Sequence, residues 1–305
     1  MKSSLLITGG LGYVGSFTAK NYLEKTKRKS IVIDNLSRGN NFAKKYSKSK
    51  IIDISNRNIK KIIEKEKIDI VLHLASLTCV RESITNRKRY FANYKSQIQF
   101  IKNIKKTGVK YFIFSSSLSV FERNKFKKNL SPYSMYKLKI EKYLKRISSP
   151  NFKVIILRYP NIIGSSPNGK LGEKNNFISR IVPIFYKNII NKKQNILYYD
   201  YKKKVYPYRN YMHVEDIAKI NFKIIKDINK FKNKFIVFNL MNKKEYTNFQ
   251  VMNAFSEILA IKPQFVLKQI SKKESINQLY KSKDDILKII KYKLQYTNLK
   301  KILKT

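Results

Sequence analysis

Short apolar runs rich in isoleucine and valine recur through the first half of the chain. They lie at Leu5–Thr8, Ile31–Asp34, Lys50–Ile54, Ile68–Leu74, Tyr111–Ser115 and Val154–Arg158. They lack the strict alternation of a strand with one wet face, as expected of parallel strands covered on both sides. Between them run longer stretches with helical spacing, notably Gly15–Lys25, Asn58–Glu66, Phe91–Lys106 and Ser134–Arg146. Alternation of this kind predicts a doubly wound α/β fold with right-handed crossovers. After Arg158 the pattern loosens. A loop rich in Gly, Ser, Pro and Asn fills Asn161–Asn176. Helices are expected at Ile178–Asn188, Glu215–Ile228 and Asn248–Leu259, and strands near Ile196–Tyr199 and Phe235–Leu240. The chain therefore divides into a first domain over 1–158 and a smaller α/β lobe over 159–305, interleaved near 205–240.

Composition narrows the class. The 305 residues are 43% hydrophobic, enough for a substantial core, yet no run of about 18 apolar residues is present to span a membrane. The apolar start Leu5–Ile7 breaks at once into Gly9 and Gly10, and reads as a buried strand rather than a signal peptide. One cysteine, Cys79, excludes an internal disulfide and a cysteine-rich metal site, and fits a reducing cytoplasm. The net charge of +47 would suit a polyanion binder. However, the lysines are spread along the chain, and Asn, Ile, Tyr and Phe, also encoded by AT-rich codons, are abundant too. Compositional drift is the better account, and no specific nucleic-acid partner is expected. His73 and His213 are isolated and read as structural, so no metal is expected.

Thr8-Gly9-Gly10-Leu11-Gly12-Tyr13-Val14-Gly15 follows the first strand and opens the first helix. Gly9 permits a tight turn, Gly12 lets backbone approach a pyrophosphate, and Gly15 allows close helix–strand packing. The helix amino terminus then offers N–H groups to phosphates. Asp34 ends the second strand, where a carboxylate accepts ribose hydroxyls and repels a 2′-phosphate. This is a Rossmann-type fingerprint and favours NAD, although Arg38 leaves the phosphorylated cofactor open at this point.

Tyr133 and Lys137 form a Tyr-x-x-x-Lys pair, but Tyr46, Tyr198, Tyr199 and Tyr296 also have lysine four residues on. Only Tyr133 begins a helix after a strand that ends in Ser115-Ser116-Ser117. On a helix, residues four apart share a face, so an ammonium at Lys137 would favour a Tyr133 phenolate able to take a hydroxyl proton. Ser117 would bridge phenol and substrate oxygen. The competing readings are a core aromatic for Tyr133 and a small strand-end residue for Ser117.

These motifs resemble the extended short-chain dehydrogenases, and within them the UDP-glucose 4-epimerase family. The resemblance runs from Leu5 to about Ile220. Further landmarks are Asp34-Asn35-Leu36-Ser37, His73-Leu74-Ala75-Ser76-Leu77, Leu157-Arg158-Tyr159-Pro160-Asn161, Pro167-Asn168-Gly169-Lys170-Leu171-Gly172-Glu173 and Arg209-Asn210-Tyr211. It implies that NAD is held by Gly9, Gly12, Tyr13, Val14 and Gly15 and by Asp34, Asn35, Leu36, Ser37, Arg38 and Gly39. Asp53, Ile54, Leu74, Ala75, Ser76, Leu77, Thr78, Asn93, Tyr133, Lys137 and Pro160 would complete that site. Ser117, Tyr133 and Lys137 would be catalytic. Ser117 and Tyr133 would also touch the substrate, a nucleotide-sugar, with Asn161, Asn176, Phe177, Ile196, Leu197, Tyr198, Arg209 and Lys272.

The implied reaction oxidises the sugar at C4, rotates the 4-keto intermediate and returns hydride to the other face. The implied assembly is a homodimer through Phe91–Lys106 and Ser134–Arg146. The family's usual lysine at position 78 is replaced by Thr78, its aspartate at 210 by Asn210, and its Arg-Pro-Gly-Asp segment by nothing closer than Lys272-Lys273-Glu274. A uronate epimerase, a decarboxylase, a dehydratase or a non-catalytic NAD-binding protein on the same scaffold are the alternatives.

Overall fold

A computed structural model describes residues 4–121, 130–173, 180–270 and 286–305. Its centre is a seven-stranded parallel sheet. The strands are β1 (Ser4–Thr8), β2 (Ser30–Asp34), β3 (Ser47–Ile51), β4 (Ile68–His73), β5 (Tyr111–Ser117), β6 (Lys153–Tyr159) and β10 (Phe235–Asn239). Their spatial order is β10-β6-β5-β4-β1-β2-β3. The winding reverses between β1 and β4, so the carboxyl ends of these two strands flank a crevice, the usual ligand position of an open parallel sheet.

Alternate residues face opposite layers. Leu5, Ile7, Val32, Ile70, Leu72, Ile155 and Leu157 pack against α1 (Tyr13–Thr26) and α7 (Val214–Lys226). Leu6, Ile31, Ile33, Val71, Phe112, Phe114 and Ile156 pack against α2 (Ile59–Lys65), α4 (Arg87–Lys105) and α5 (Pro132–Ile147). Both sets are buried, which is why these strands read as continuous apolar runs rather than alternating ones. The fold is the expected Rossmann-type doubly wound sheet.

Several boundaries differ from the sequence reading. The third strand covers Ser47–Ile51 rather than Lys50–Ile54. It is the sheet edge, where exposed Lys48 and Lys50 alternate with Ser47 and Ser49, so its apolar signal is weak. The isoleucines after it belong to a turn, in which Asp53 Oδ1 accepts from the Ser55 amide at 2.9 Å. A six-residue helix, α3 (Val80–Thr85), lay below the length that periodicity reveals. The helix expected from Ile178 is described as α6 (Ile181–Ile190), with 178 and 179 outside the described residues.

The smaller lobe has its own core. Here β9 (Tyr208–His213) pairs with β7 (Asn161–Ile163) and β11 (Glu245–Thr247), while β8 (Asn195–Tyr199) runs parallel to β12 (Phe265–Gln269). These pack with α6, α8 (Asn248–Leu259) and α10 (Leu299–Leu303) around Phe185, Leu197, Tyr211, Val251 and Ile302. Helix α9 (Ile286–Ile289) joins the first core through Ile286. Asp216, at the start of α7, clamps the C-terminal segment by accepting from the amides of Gln295 and Tyr296 at 2.9 and 3.0 Å.

The tightest steric point is the turn after β1. A Cβ added to Gly15 would sit 2.2 Å from the Gly9 carbonyl oxygen and 2.6 Å from Gly10 Cα. We predict that Gly15→Ala destabilises the protein by about 1–3 kcal/mol through overpacking. Gly108→Ala, where nothing lies within 4 Å, should be neutral or slightly stabilising. Equal thermal unfolding of the two variants would contradict this assignment of the close contact.

Candidate active site

A cleft of about 1520 Å³ opens at the carboxyl ends of β1, β2, β4 and β5 and extends to the smaller lobe. Gly9 begins it with φ +67, and a Cβ there would strike the Ala75 amide nitrogen at 2.7 Å. The loop after β1 and the loop after β4 thus touch backbone to backbone, a contact only glycine allows. Gly12 differs: an added Cβ would meet only the Gly9 carbonyl, at 3.1 Å, so its outer side faces the cleft. That is a cradle a side chain would fill, at the amino end of a 14-residue helix, and it fits a pyrophosphate.

Asp34 closes the far wall of this turn. Its Oδ2 accepts from the Leu11 amide at 3.0 Å and its Oδ1 from the Leu36 amide at 2.8 Å. Burial raises its pKa, and the backbone donors only partly offset that rise. Arg38 turns away to Glu82, with Nη2 2.5 Å from Oε2, and Glu82 also holds Arg89 at 2.5 Å. With Arg38 engaged, the ribose end of the site is governed by the Asp34 carboxylate, which suits NAD. Asp53 pairs with Asn35 at 2.7 Å; burial raises its pKa, but the bonds from Ser55 and Asn35 outweigh that and lower it overall.

The loop after β4 is fastened from α4. Asn93 Oδ1 accepts from the Leu77 amide at 3.3 Å and from Gln97 Nε2 at 2.8 Å. His73, ending β4, is fully buried, stacks on Phe100 and bonds Thr8 Oγ1 at 2.7 Å. Burial, then the charge of Lys137, push its pKa down to about 3, so it packs as a neutral ring.

Ser117, Tyr133 and Lys137 line the same cleft as the glycine turn. Helix α5 is set by Ser131, whose hydroxyl accepts from the Ser134 amide at 3.2 Å, with Pro132 in the first turn. Its buried positions Tyr133, Ser134, Lys137, Ile140, Glu141 and Leu144 follow helical spacing, so polar and apolar groups share one inward face. Lys137 is 3% exposed, donates to the Ser115 carbonyl at 2.8 Å, and lies 6.0 Å from the centre of the Tyr133 ring. Burial lowers its pKa to about 7, against an opposing pull from Glu141 one turn on. Glu141 is itself forked by Arg158, at 3.0 and 2.6 Å, and bonded by Ser116. Ser117 Oγ accepts from the Ser119 amide at 3.1 Å.

On the lobe side, Pro160, Asn161, Ile196, Tyr198 and Arg209 line the cleft. Leu197 does not: the alternation of β8 buries it completely in the lobe core. Leu36 contributes its amide to Asp34 rather than a cleft surface. Asn210 is wholly buried, with its amide exchanging bonds with Asn242 at 2.8 Å each way. Asn176, Phe177 and Lys272 lie outside the described residues. The cleft also contains residues the sequence reading did not single out, among them Arg180, Phe185 and Gln269. Arg180 was hidden among 66 Lys and Arg, and Gln269 follows no motif.

A glycine turn at the switch point of a parallel sheet, opening on a Ser–Tyr–Lys set, defines the class of dinucleotide-binding α/β enzymes. The model of the NAD dependent epimerase/dehydratase family matches residues 5–240. The UDP-glucose 4-epimerase of Yersinia enterocolitica is 31% identical, over 84% of this chain and 82% of its own. That of Pasteurella multocida is 29% identical, over 85% and 83%. The structure of UDP-glucose 4-epimerase from Bifidobacterium longum in complex with NAD+ and UDP superposes with a TM-score of 0.87 at 24% identity. It covers 99% of this chain and 96% of that one. The chain belongs to the NAD dependent epimerase/dehydratase family, and NAD is its cofactor.

The buried ammonium predicts a pH signature in the protein free of nucleotide. Below pH about 7 the folded and unfolded states both hold the Lys137 proton. Between about 7 and 10.5, its ordinary value, only the unfolded chain holds it. Unfolding free energy therefore rises with pH in that window, by at most about 1.4 kcal/mol per unit. The stability of the wild type relative to Lys137→Met should increase from pH 7 to pH 9 in urea titrations, with the other lysines cancelling in the difference. Parallel pH curves would show that Lys137 is not desolvated.

Proposed function

We propose that the protein interconverts the C4 epimers of a UDP-sugar of the glucose/galactose type. The observation that carries this reading is the convergence of Ser117, Tyr133 and Lys137 with the glycine turn and Asp34 in one cleft, in a chain similar to the UDP-glucose 4-epimerases of Pasteurella multocida and Yersinia enterocolitica. When bound, NAD supplies a reversible hydride acceptor.

The chain's own residues then have distinct tasks. Tyr133 takes the proton from the C4 hydroxyl and later returns it. A charge on Lys137 stabilises negative charge on that phenol oxygen while its bond to Ser115 fixes where the charge sits. Ser117 bridges the phenol and the sugar oxygen. Glu141 and Arg158 hold the inner face of α5 against β5 and β6. Asn161, Ile196, Tyr198 and Arg209 face the nucleoside diphosphate, with Arg209 suited to a phosphate by its planar fork. Asn176, Phe177 and Lys272 are proposed for the same substrate on the resemblance alone. In this reading 1–158 carries the cofactor and 159–305 the sugar nucleotide, with β10 and α7 returning to the first.

We further read the assembly as a homodimer through α4 and α5. Phe91 is 46% exposed there, and Tyr94 stacks on Tyr136 at 4.9 Å, giving an aromatic face across both helices. The single buried Cys79 supports a reducing, cytoplasmic setting.

Tyr133→Phe should lower turnover of UDP-galactose at least a hundredfold, within the usual contribution of a general acid–base group, while NAD stays bound. Chromatographic separation of the two UDP-hexoses reads the first, and NAD released on denaturation reads the second. Unchanged turnover would remove the phenol from the reaction. For the assembly, Phe91→Glu should halve the mass seen in sedimentation; a wild type that already sediments as a monomer would refute the dimer.

A further inference from the structure

The cations along the cleft differ in what holds them. Arg38 and Arg89 close on Glu82, Lys137 is bonded to the Ser115 carbonyl, and Arg209 donates to the Tyr208 carbonyl at 2.8 Å. Arg180 belongs to the smaller lobe but reaches the wall of the first domain. It precedes α6 with extended backbone, φ −95 and ψ 144, so its side chain leaves the helix surface. Its Nη2 donates to Thr78 Oγ1 at 3.0 Å, and its Nε meets Glu173 Oε1 at 3.2 Å.

Thr78 continues the loop whose Ala75 packs against Gly9. Arg180 also acts on Tyr13, the first residue of α1, whose pKa is raised by burial and by Glu173 and drawn down by the guanidinium. The guanidinium is thus located by two independent contacts near the turn and the loop that rim the switch point. The segment Gly9–Gly15 contains no charged side chain, so it can meet a diphosphate only with backbone dipoles. Any full positive charge on that diphosphate would come from another element. A guanidinium has five donors in a planar fork, of which the bonds to Thr78 and Glu173 use two. The bond to a neutral hydroxyl is readily exchanged for one to a phosphate oxygen.

We propose that Arg180 is the cation that binds the diphosphate bridge of the dinucleotide, reaching it from the substrate lobe. The inference rests on the NAD-binding reading of the cleft. The nucleotide-sugar offers the same diphosphate chemistry, but of the two bonds of Arg180 the one that leaves its own lobe is to Thr78, and its charge is felt by Tyr13 on the glycine turn.

Titration calorimetry of the full chain, freed of nucleotide, decides between them with NAD and UDP as separate ligands. Arg180→Gln should weaken NAD about tenfold, the scale of one charged hydrogen bond, and flatten the salt dependence of NAD binding between 50 and 300 mM, roughly the range over which exposed charges become screened. Adenosine, which lacks phosphate, should bind as before. Adding Thr78→Lys to Arg180→Gln places an ammonium at the hydroxyl that Arg180 touches, and should recover most of the loss. Arg180→Lys keeps the charge without the fork, serves if the glutamine variant folds poorly, and should fall between. Unchanged NAD affinity in Arg180→Gln overturns the proposal, as does a loss confined to UDP. A wild type that does not bind NAD overturns the reading beneath it instead.

Discussion

An ammonium buried in the floor of the cleft is the constraint around which the centre of the molecule is arranged. Taking Lys137 out of water costs free energy that the protein meets in two ways. The Ser115 carbonyl accepts a hydrogen bond from it, and Glu141 lends an opposite charge from one turn further along α5. Neither removes the penalty, since the pKa still falls to about 7. Glu141 is shared: Arg158 on β6 forks its carboxylate, and Ser116 on β5 bonds to it. Two strands and a helix are therefore tied at one polar point, surrounded by Phe114, Ile140, Leu144 and Ile156. Removing one partner of such a buried pair typically costs about 3–5 kcal/mol. The same tie holds the middle of α5 against the sheet, while Ser131 sets the helix start just before Tyr133.

The second constraint is steric. Gly9, Gly10 and Gly15 are pressed against backbone and against Val32, while Gly12 is bounded only by the Gly9 carbonyl. Gly9 joins the two loops, Gly10 seats the turn on β2, Gly15 closes the turn on itself, and Gly12 faces outward. Asp34 reinforces the turn by accepting Leu11 and Leu36 amides, so the carboxylate is fixed before any ligand arrives. The side of the cleft formed by the glycine turn is therefore braced by close backbone packing and by the Asp34 carboxylate.

Much of this was legible in the residues. Six of the central strands and the glycine turn follow from apolar runs and spacing because both sheet faces are buried. Tyr133 could be separated from the other Tyr-x-x-x-Lys pairs only by its place after a strand ending in serines, and α5 does begin there. Edge strand β3 was displaced because its exposed lysines carry no apolar signal, while Ile52 and Ile54 beyond it do. Strand β9 reads Tyr-Arg-Asn-Tyr-Met-His, a polar run whose burial comes from tertiary contacts such as Asn210 with Asn242. Leu197 was grouped with Ile196 and Tyr198 by proximity in sequence, but a strand turns successive side chains to opposite faces. Arg180 carries no local signal at all, because its meaning depends on Thr78, 102 residues earlier.

The charge balance gains a structural explanation from the same contacts. Acidic residues are few, and many of those described close an internal contact. Asp34 and Asp53 brace the turns, Glu82 gathers two arginines, Glu141 anchors Arg158, Glu173 steadies Arg180, and Asp216 ties down the C-terminal segment. Added lysine charge costs little at exposed positions, where charges are screened within about 10 Å at 0.1 M salt. Replacing a carboxylate that satisfies buried donors is costly, because the lost partner leaves them unpaired. A net charge of +47 is therefore compatible with a site whose electrostatics are set locally, by a handful of carboxylates that replacement would leave without substitutes.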